Sequence, residues 1–568
     1  MIARWGALLV ALAGAILLAV VATTPPRPAP AAAPPTSFSA ARAMADVRVI
    51  GRVAHPTGSA ADAAVRAYLV ARLRGMGLQV ETVTAPLSAE GAKRLAAWRG
   101  TSGAAPRLSN IVATLPGRDR GKPAVLLMAH HDSVWGSPGA ADDGAGVASI
   151  LEAVRAIVAA GPPARDLMVL FTDGEELGLD GARAFFAADP RRGRVGVIVN
   201  TETRGGGGRA SMFETGPDNG AMIDLFRHSV ARPVSTSLSV FVYQHLPNST
   251  DYTIAKRLGV PGFNFAFVGR PGLYHSPLAT PDRLDQGALQ DMGRQVLDLT
   301  RGLVAVPVLP AAAPDRTFFD AFGLFLVSYP AWAGWVLLGL AALGYVVAWR
   351  RGELVGRGIA VGVAVILVTA QLLWVGNLVS GADGPVNYYD RLAAIPRLQV
   401  QALLLCLAGG GLVRAALLDR RVPRGVALGG ALPVLVLGLV AQALAPTAAF
   451  PIAWPLLLGG GALAAERRAG PAVGRLALAV AAMLGVGYQL ALGFLLMQAV
   501  GPVTPMVAAL PYATAVVLLL PLLPAAGRRT ALATSAVLLV AALAIALWVR
   551  LDALAPSVAV YSSVGAPH

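Results

Sequence analysis

Nine apolar runs constrain this 568-residue chain more than any other feature. One lies at residues 5–22. Eight more follow near 331–349, 358–379, 398–418, 425–443, 450–465, 476–499, 505–524 and 531–549. A run of about 18–20 apolar residues matches the hydrocarbon thickness of a bilayer. Inside lipid, backbone N–H and C=O groups must be paired within the segment, so each run predicts a helix. The run at 450–465 is the weakest of the nine, being short and holding Pro451 and Pro455. Charged residues make up 14% of the chain, against about 25% in ordinary soluble proteins. With a mean hydropathy of +0.60, a purely soluble enzyme and a disordered chain are both ruled out.

The net charge of +15 suggests nucleic acid until it is located. Residues 331–568 hold 15 Arg, no Lys and six acids. Arg350, Arg351 and Arg357 fall in one loop. Arg414, Arg420, Arg421 and Arg424 fall in the next but one, then Arg467, Arg468 and Arg475, then Arg528 and Arg529. The intervening loops carry only Arg391 and Arg397. Cytoplasmic loops carry the excess of Arg, so strict alternation puts the Arg-rich loops there and residues 38–305 on the periplasmic or lumenal side. The first half has no basic stripe with interleaved aromatics, which argues against a nucleic-acid partner. The one cysteine, Cys406, sits in an apolar run, so no intrachain disulfide and no cysteine metal site is possible. The spans carry no pair of intramembrane acids, as a transporter or proton path usually would.

The chain therefore divides as follows. Residues 1–22 are a membrane anchor or a cleaved signal. Residues 23–37, with Pro25, Pro26, Pro28, Pro30, Pro34 and Pro35, read as a stiff spacer. Residues 38–305 are an exported domain, 306–330 a linker, and 331–568 an eight-span helical membrane domain whose partner is the lipid bilayer.

In the exported domain, Val65, Tyr68, Leu69 and Leu73 recur at helical spacing, and Gly75 follows as a stop. Short apolar runs at 110–115, 124–129, 167–172, 195–200 and 262–268 predict buried strands, and Val147 to Val158 a helix between two of them. Strands separated by helices imply an α/β fold, with a mainly parallel sheet covered on both faces. Ligands in such folds bind at the carboxyl ends of the strands.

The polar motifs fall at those ends. The run 124–129 leads into His130, His131, Asp132 and Ser133. A histidine there is placed for a metal, and a carboxylate two residues on can take its other ring N–H. Ten residues after Asp132 come Asp142 and Asp143, where one carboxylate can bridge two cations or cap a helix. The run 167–172 leads into Asp173, Glu175 and Glu176. Adjacent glutamates there repel unless a cation compensates. Glu202 ends the next run, and Tyr274 and His275 follow the last. Imidazoles and hard oxygens in this order are what a two-zinc hydrolase needs.

The order HHD, ADDGAG, GEELG, NTE and YH resembles metallopeptidase family 28, the co-catalytic zinc exopeptidases, over roughly residues 50–300. The layout resembles the subgroup of endoplasmic-reticulum metallopeptidases and vacuolar membrane proteases. The resemblance implies that His130 and Glu202 hold one Zn2+, Glu176 and His275 a second, and Asp142 bridges them. It implies Asp132 as the orienter of His130, Glu175 as general base, and Tyr274 as a donor to the oxyanion or a packing residue. Peptides are the implied substrates. Many relatives carry Asp four residues after the last ligand; here Ala279 stands there, leaving Asp282 or Asp285 to support His275. Asp251 is a candidate lining residue. His55, His131, His228 and His245 take no role. A glutaminyl-cyclase-like zinc transferase and an inactive receptor or scaffold are the alternatives.

Overall fold

The computed structural model describes residues 2–100, 103–353, 355–384, 388–418 and 420–552. Two compact units emerge. Among the described residues, one comprises 24–328 with the short segment 388–393; the other comprises 2–23, 329–384 and 394–552. The last residues of the expected 331–568 stretch, from 553 on, lie outside the described part.

The first unit is built on a seven-stranded sheet. Its strands are β1 (Gln79–Pro86), β2 (Arg107–Leu115), β3 (Ala124–His130), β4 (Leu167–Thr172), β5 (Val195–Thr203), β6 (Gly207–Thr215) and β7 (Gly262–Gly269), in the order β1-β2-β4-β3-β5-β7-β6. The centre of the sheet is parallel, as expected, and the sheet as a whole is mixed. The inner strands β4, β3, β5 and β7 are parallel, while β1, β2 and β6 pair antiparallel. The five expected strands are present. β1 and β6 are the additions, and both are edges.

Every residue of β3 and β4 is buried. Their side chains alternate between two cores, as the two-residue period of a strand requires. Val125, Leu127, Val169 and Phe171 face one core, and Leu126, Met128, Met168 and Leu170 the other. Helix Gly144–Ala160 fills the first core with Val147, Ile150, Leu151 and Val154. Helix Asp180–Ala188 brings Ala182, Phe185 and Phe186 to the second. Chain order therefore reverses at β3: β4 lies on one side and β5 on the other, with helices on opposite faces. Such a switch point opens a crevice beyond the carboxyl end of the central strand, where His130 sits.

The Pro-rich stretch is not a free spacer, since it belongs to this unit. Ala29 N–H donates to Gln290 Oε1 at 2.9 Å, and Arg42 Nη1 donates to the carbonyls of Ala31 and Ala33 at 2.7 and 2.8 Å. The expected linker 306–330 contains a hairpin, β8 (Arg316–Asp320) and β9 (Leu326–Pro330).

The second unit is helical. Among the described residues, seven helices are long and apolar enough to cross a membrane, Trp5–Thr23 being one. The run near 331–349 forms a shorter helix, Ala333–Ala348. The runs 450–465 and 476–499 lie on one 51-residue element, Phe450–Val500, broken where Gly470 has φ 88° and ψ 174°. Each part is long enough for the roughly 20 residues that a span requires. Lipid offers no hydrophobic drive between helices, so close backbone approach at small residues holds them. A Cβ on Gly429 would stand 2.1 Å from the Val355 carbonyl oxygen.

Candidate metal centre

Each motif residue reaches the site for a local reason. At the end of β3, His130 turns Nε2 toward Asp142 Oδ1, 3.2 Å away. Asp142 is free to face it because its neighbour takes the structural task. Asp143 caps helix Gly144–Ala160, its Oδ1 accepting from Gly146 N–H at 3.1 Å. The second oxygen of Asp142 lies 3.1 Å from His275 Nε2. His275 Nε2 is also 3.1 Å from Glu176 Oε1, and His130 Nε2 is 3.9 Å from Glu202 Oε2.

Two triads result: His130, Asp142 and Glu202, and Asp142, Glu176 and His275. Within each, one ligand atom per residue lies within 4.8 Å of the others. Asp142 belongs to both and offers one oxygen to each imidazole. His275 holds a left-handed backbone, φ 52°, strained for a side-chain-bearing residue. The structure thus brings together the five residues expected as ligands. Glu175 groups with His130 and Glu176 in the same cluster.

Asp132 acts differently from expectation. The nearest acceptor for His130 Nδ1–H is the Asp132 backbone carbonyl, at 2.9 Å; the carboxylate stands at 3.5 Å. The carboxylate accepts instead from the backbone N–H groups of Glu175 and Glu176, at 3.1 and 3.4 Å. It therefore aims the two glutamates as well as the histidine. Asp251 lies behind this turn and accepts from the Thr172 hydroxyl at the end of β4.

The electrostatics test whether these groups fit a cation. Burial pushes Glu202 and Glu175 well above the usual carboxylate range, with Glu175 adding to the rise of Glu202 and Glu176 to that of Glu175. Burial also raises Glu176, with Asp142 adding to the rise. Burial acts on Asp142 in the same direction, but hydrogen bonds from His130 and His275 overcome it and take Asp142 down to about 2. Glu176 Oε1 is buried and accepts no hydrogen bond among the described residues. Carboxylates crowded in a dry site need a positive charge to ionise together. The donors suit zinc.

The remaining sites sort themselves. Tyr274 stacks its ring on His275, centroids 3.9 Å apart. His131 forms a third buried group with Asp62 and Asp173. Its Nδ1 is 3.1 Å from Asp62 Oδ1 and its Nε2 is 3.1 Å from the Ser109 carbonyl. With acceptors at both nitrogens, the ring itself supplies the positive charge. His55 pairs with the Val53 carbonyl, and His228 and His245 with the carbonyls four residues back in their own helices. Neither aspartate expected to support His275 does so. Asp282 is exposed, and Asp285 caps helix Gln286–Ala305 and pairs with Arg270. The group at His275 Nδ1 is the hydroxyl of Tyr389, 3.0 Å away. No local signal in the sequence marks it; YYD merely precedes an apolar run.

Residues 110–300 match Peptidase family M28. Endoplasmic reticulum metallopeptidase 1 of Homo sapiens is 30% identical over 42% of this chain and 27% of its own length. A vacuolar membrane protease of Candida dubliniensis is 34% identical over 41% of this chain and 24% of its own. The matched region thus spans about a quarter of these relatives. Among solved structures, an aminopeptidase from Aneurinibacillus sp. strain AM-1 aligns over 50% of this chain and 98% of its own, with TM-score 0.39 and 15% identity. The clustered residues His130, Asp142, Glu176, Glu202 and His275 all lie inside the stretch that matches Peptidase family M28, in a chain whose described residues include seven helices long and apolar enough to cross a membrane.

Proposed function

We propose that this chain is a membrane-bound zinc exopeptidase of the aminopeptidase type, acting on peptides outside the cytoplasm. The observation that carries the reading is the pair of triads meeting at Asp142 within the family match. His130, Asp142 and Glu202 would hold one zinc ion, and Asp142, Glu176 and His275 the other. When bound, the two ions would supply Lewis acidity toward a water and the scissile carbonyl.

The other steps belong to the chain's own residues. Glu175 takes the proton from the attacking water and returns it to the leaving amine. A buried carboxylate whose proton affinity is raised suits that double transfer. Asp132 keeps Glu175 and Glu176 pointing apart through their backbone N–H groups. Tyr274 either donates to the developing oxyanion or holds the face of His275, and its stacking favours the second role.

The alternation of Arg-rich and Arg-poor loops supports placing the peptidase unit on the extracytoplasmic side. Cysteine labelling tests this directly, since Cys406 is buried and is the one native cysteine. In intact cells an Asp119→Cys chain should react with an impermeant reagent and a Gly352→Cys chain should not. The reverse pattern would overturn the orientation.

The activity is tested on the whole chain, purified in detergent and reconstituted with excess zinc. It should hold about two zinc equivalents, by analogy with two-metal sites, and cleave free but not amino-blocked amino-acid amides. A clean stoichiometry of one would sink the two-ion site and favour a single-zinc transferase. Two bound zincs with no turnover on free or blocked peptides would put the scaffold ahead.

A further inference from the structure

We propose that Tyr389 is a positioning residue of the metal site, holding His275 through its Nδ1; the proposal rests on reading that site as a metal centre. An imidazole that ligates through Nε2 carries its proton on Nδ1. An acceptor for that N–H sets both the tautomer and the ring plane. His275 meets both conditions. Its Nε2 faces Asp142 and Glu176, 3.1 Å from each. Its Nδ1 is 3.0 Å from the Tyr389 hydroxyl oxygen. The bond is therefore Nδ1–H donating to the phenol. The rings also pack. Tyr274 stacks on His275 at 3.9 Å and 23°, and Tyr389 lies 5.2 Å away at 36°.

Tyr389 stands 114 residues beyond His275 and outside the family match at 110–300. Its segment is nonetheless part of the sheet unit, which includes residues 388–393. Two further contacts keep it there. Arg204, two residues past Glu202, donates to the Tyr388 hydroxyl, with its guanidinium carbon 5.7 Å from that ring's centroid. Gly272, three residues before His275, approaches so closely that a Cβ would stand 2.8 Å from Ala393 Cα. The loop that follows Glu202 after β5 and the loop after β7 that carries His275 are therefore both held by the segment that carries Tyr389.

Zinc titration of the full-length chain against a competing chelator tests the proposal in four proteins: wild type, Tyr389→Phe, His275→Ala and the double variant. Tyr389→Phe keeps the ring and removes the acceptor. It should weaken one of the two zinc ions by about 10–100-fold and leave the other unchanged. In the His275→Ala background the same change should have no effect on the remaining zinc, because the ring it holds is gone. If Tyr389→Phe is not recovered folded, Tyr389→Gln and Tyr389→Leu replace it, and the Leu variant, without an acceptor, should bind zinc more weakly. Equal affinity with and without the acceptor overturns the proposal. So does an equal loss in both backgrounds, which marks a loosened fold rather than a positioned ring. A wild-type chain that binds no zinc overturns the metal reading itself, and that result needs no variant.

Discussion

The two units bury different kinds of polar group. In the sheet unit His130, Asp142, Asp143, Asp173, Asp251 and Glu202 are all buried. In the helical unit the buried polar side chains among the described residues are amides and hydroxyls, such as Gln442, Gln489, Thr369 and Ser535. Several of these bond to a backbone carbonyl, as Gln489 Nε2 does to Pro451 at 2.5 Å and Ser535 to Ala408 at 3.0 Å. An isolated buried charge costs far more than a buried amide that keeps a partner. The helical unit avoids that cost and shows packing. The sheet unit concentrates it at one set of strand ends, the pattern expected where chemistry is done.

The contrast can be broken most sharply at Glu175. Glu175→Gln should leave zinc bound and cut peptidase turnover by roughly 10²–10⁴-fold, the usual worth of a positioned base. Gln489→Leu, a change to a buried polar group of the helical unit, should leave turnover near wild type. Full activity in Glu175→Gln would show the assigned mechanism to be wrong.

Next in size are the ion pairs. Arg209 Nε meets Asp291 Oδ2 at 2.6 Å, with both side chains buried. Arg209→Leu leaves the buried Asp291 with only Arg294 Nη2 at 3.1 Å and the Ala210 N–H at 3.2 Å, and should cost up to about 3–5 kcal/mol of stability in thermal or denaturant unfolding. Leu127→Ala, at a site with no exposure, should cost about 2–5 kcal/mol through a cavity.

The Asp62–His131 pair predicts a pH dependence. Burial alone would lower His131, but the Asp62 carboxylate overcomes it and raises the ring to about 9. A histidine raised in the fold contributes stability fully below its unfolded value, and loses it as pH rises through the folded value. Asp62, lowered by the same pair against the pull of its own burial, loses its share only in acid. Between pH 7 and 10 the wild-type chain should therefore lose stability. One proton sets the slope at no more than about 1.4 kcal/mol for each tenfold fall in proton concentration. Asp62→Asn should flatten that decline; an unchanged slope in the variant would remove the pair as its cause.

The smallest effect belongs to the helical unit. Arg397 and Asp552 pair at 2.7 Å, but Asp552 is 41% exposed. Asp552→Asn should cost under about 1 kcal/mol, as exposed pairs do. A loss as large as that of Arg209→Leu would erase the contrast.

Much of this was legible in the order of residues. A strand buried on both faces must be apolar throughout, so AVLLMA and LMVLFT announce β3 and β4. β1 and β6 were not legible. β1 mixes exposed and half-buried positions and is nowhere fully buried, and β6 mixes buried and half-buried ones, so no apolar run marks either edge. The parallel centre could be read from its apolar runs, while the antiparallel pairing of β1, β2 and β6 around it could not. The site residues follow the strands closely in sequence, and their grouping could be read for that reason.

What sequence alone determined is what local physics controls. Apolar length set the helices, and polar residues after buried strands set which side chains stand at the strand ends. Tertiary structure decided which atom faces which. It set Asp143 as cap and Asp142 as the carboxylate between two imidazoles. It turned the Asp132 carboxylate onto the N–H groups of Glu175 and Glu176. It also brought Tyr389 to His275 from 114 residues away. A hydrogen bond between groups so distant in the chain leaves no periodicity and no spacing, because it depends on how folded elements pack and not on the segment that carries either residue.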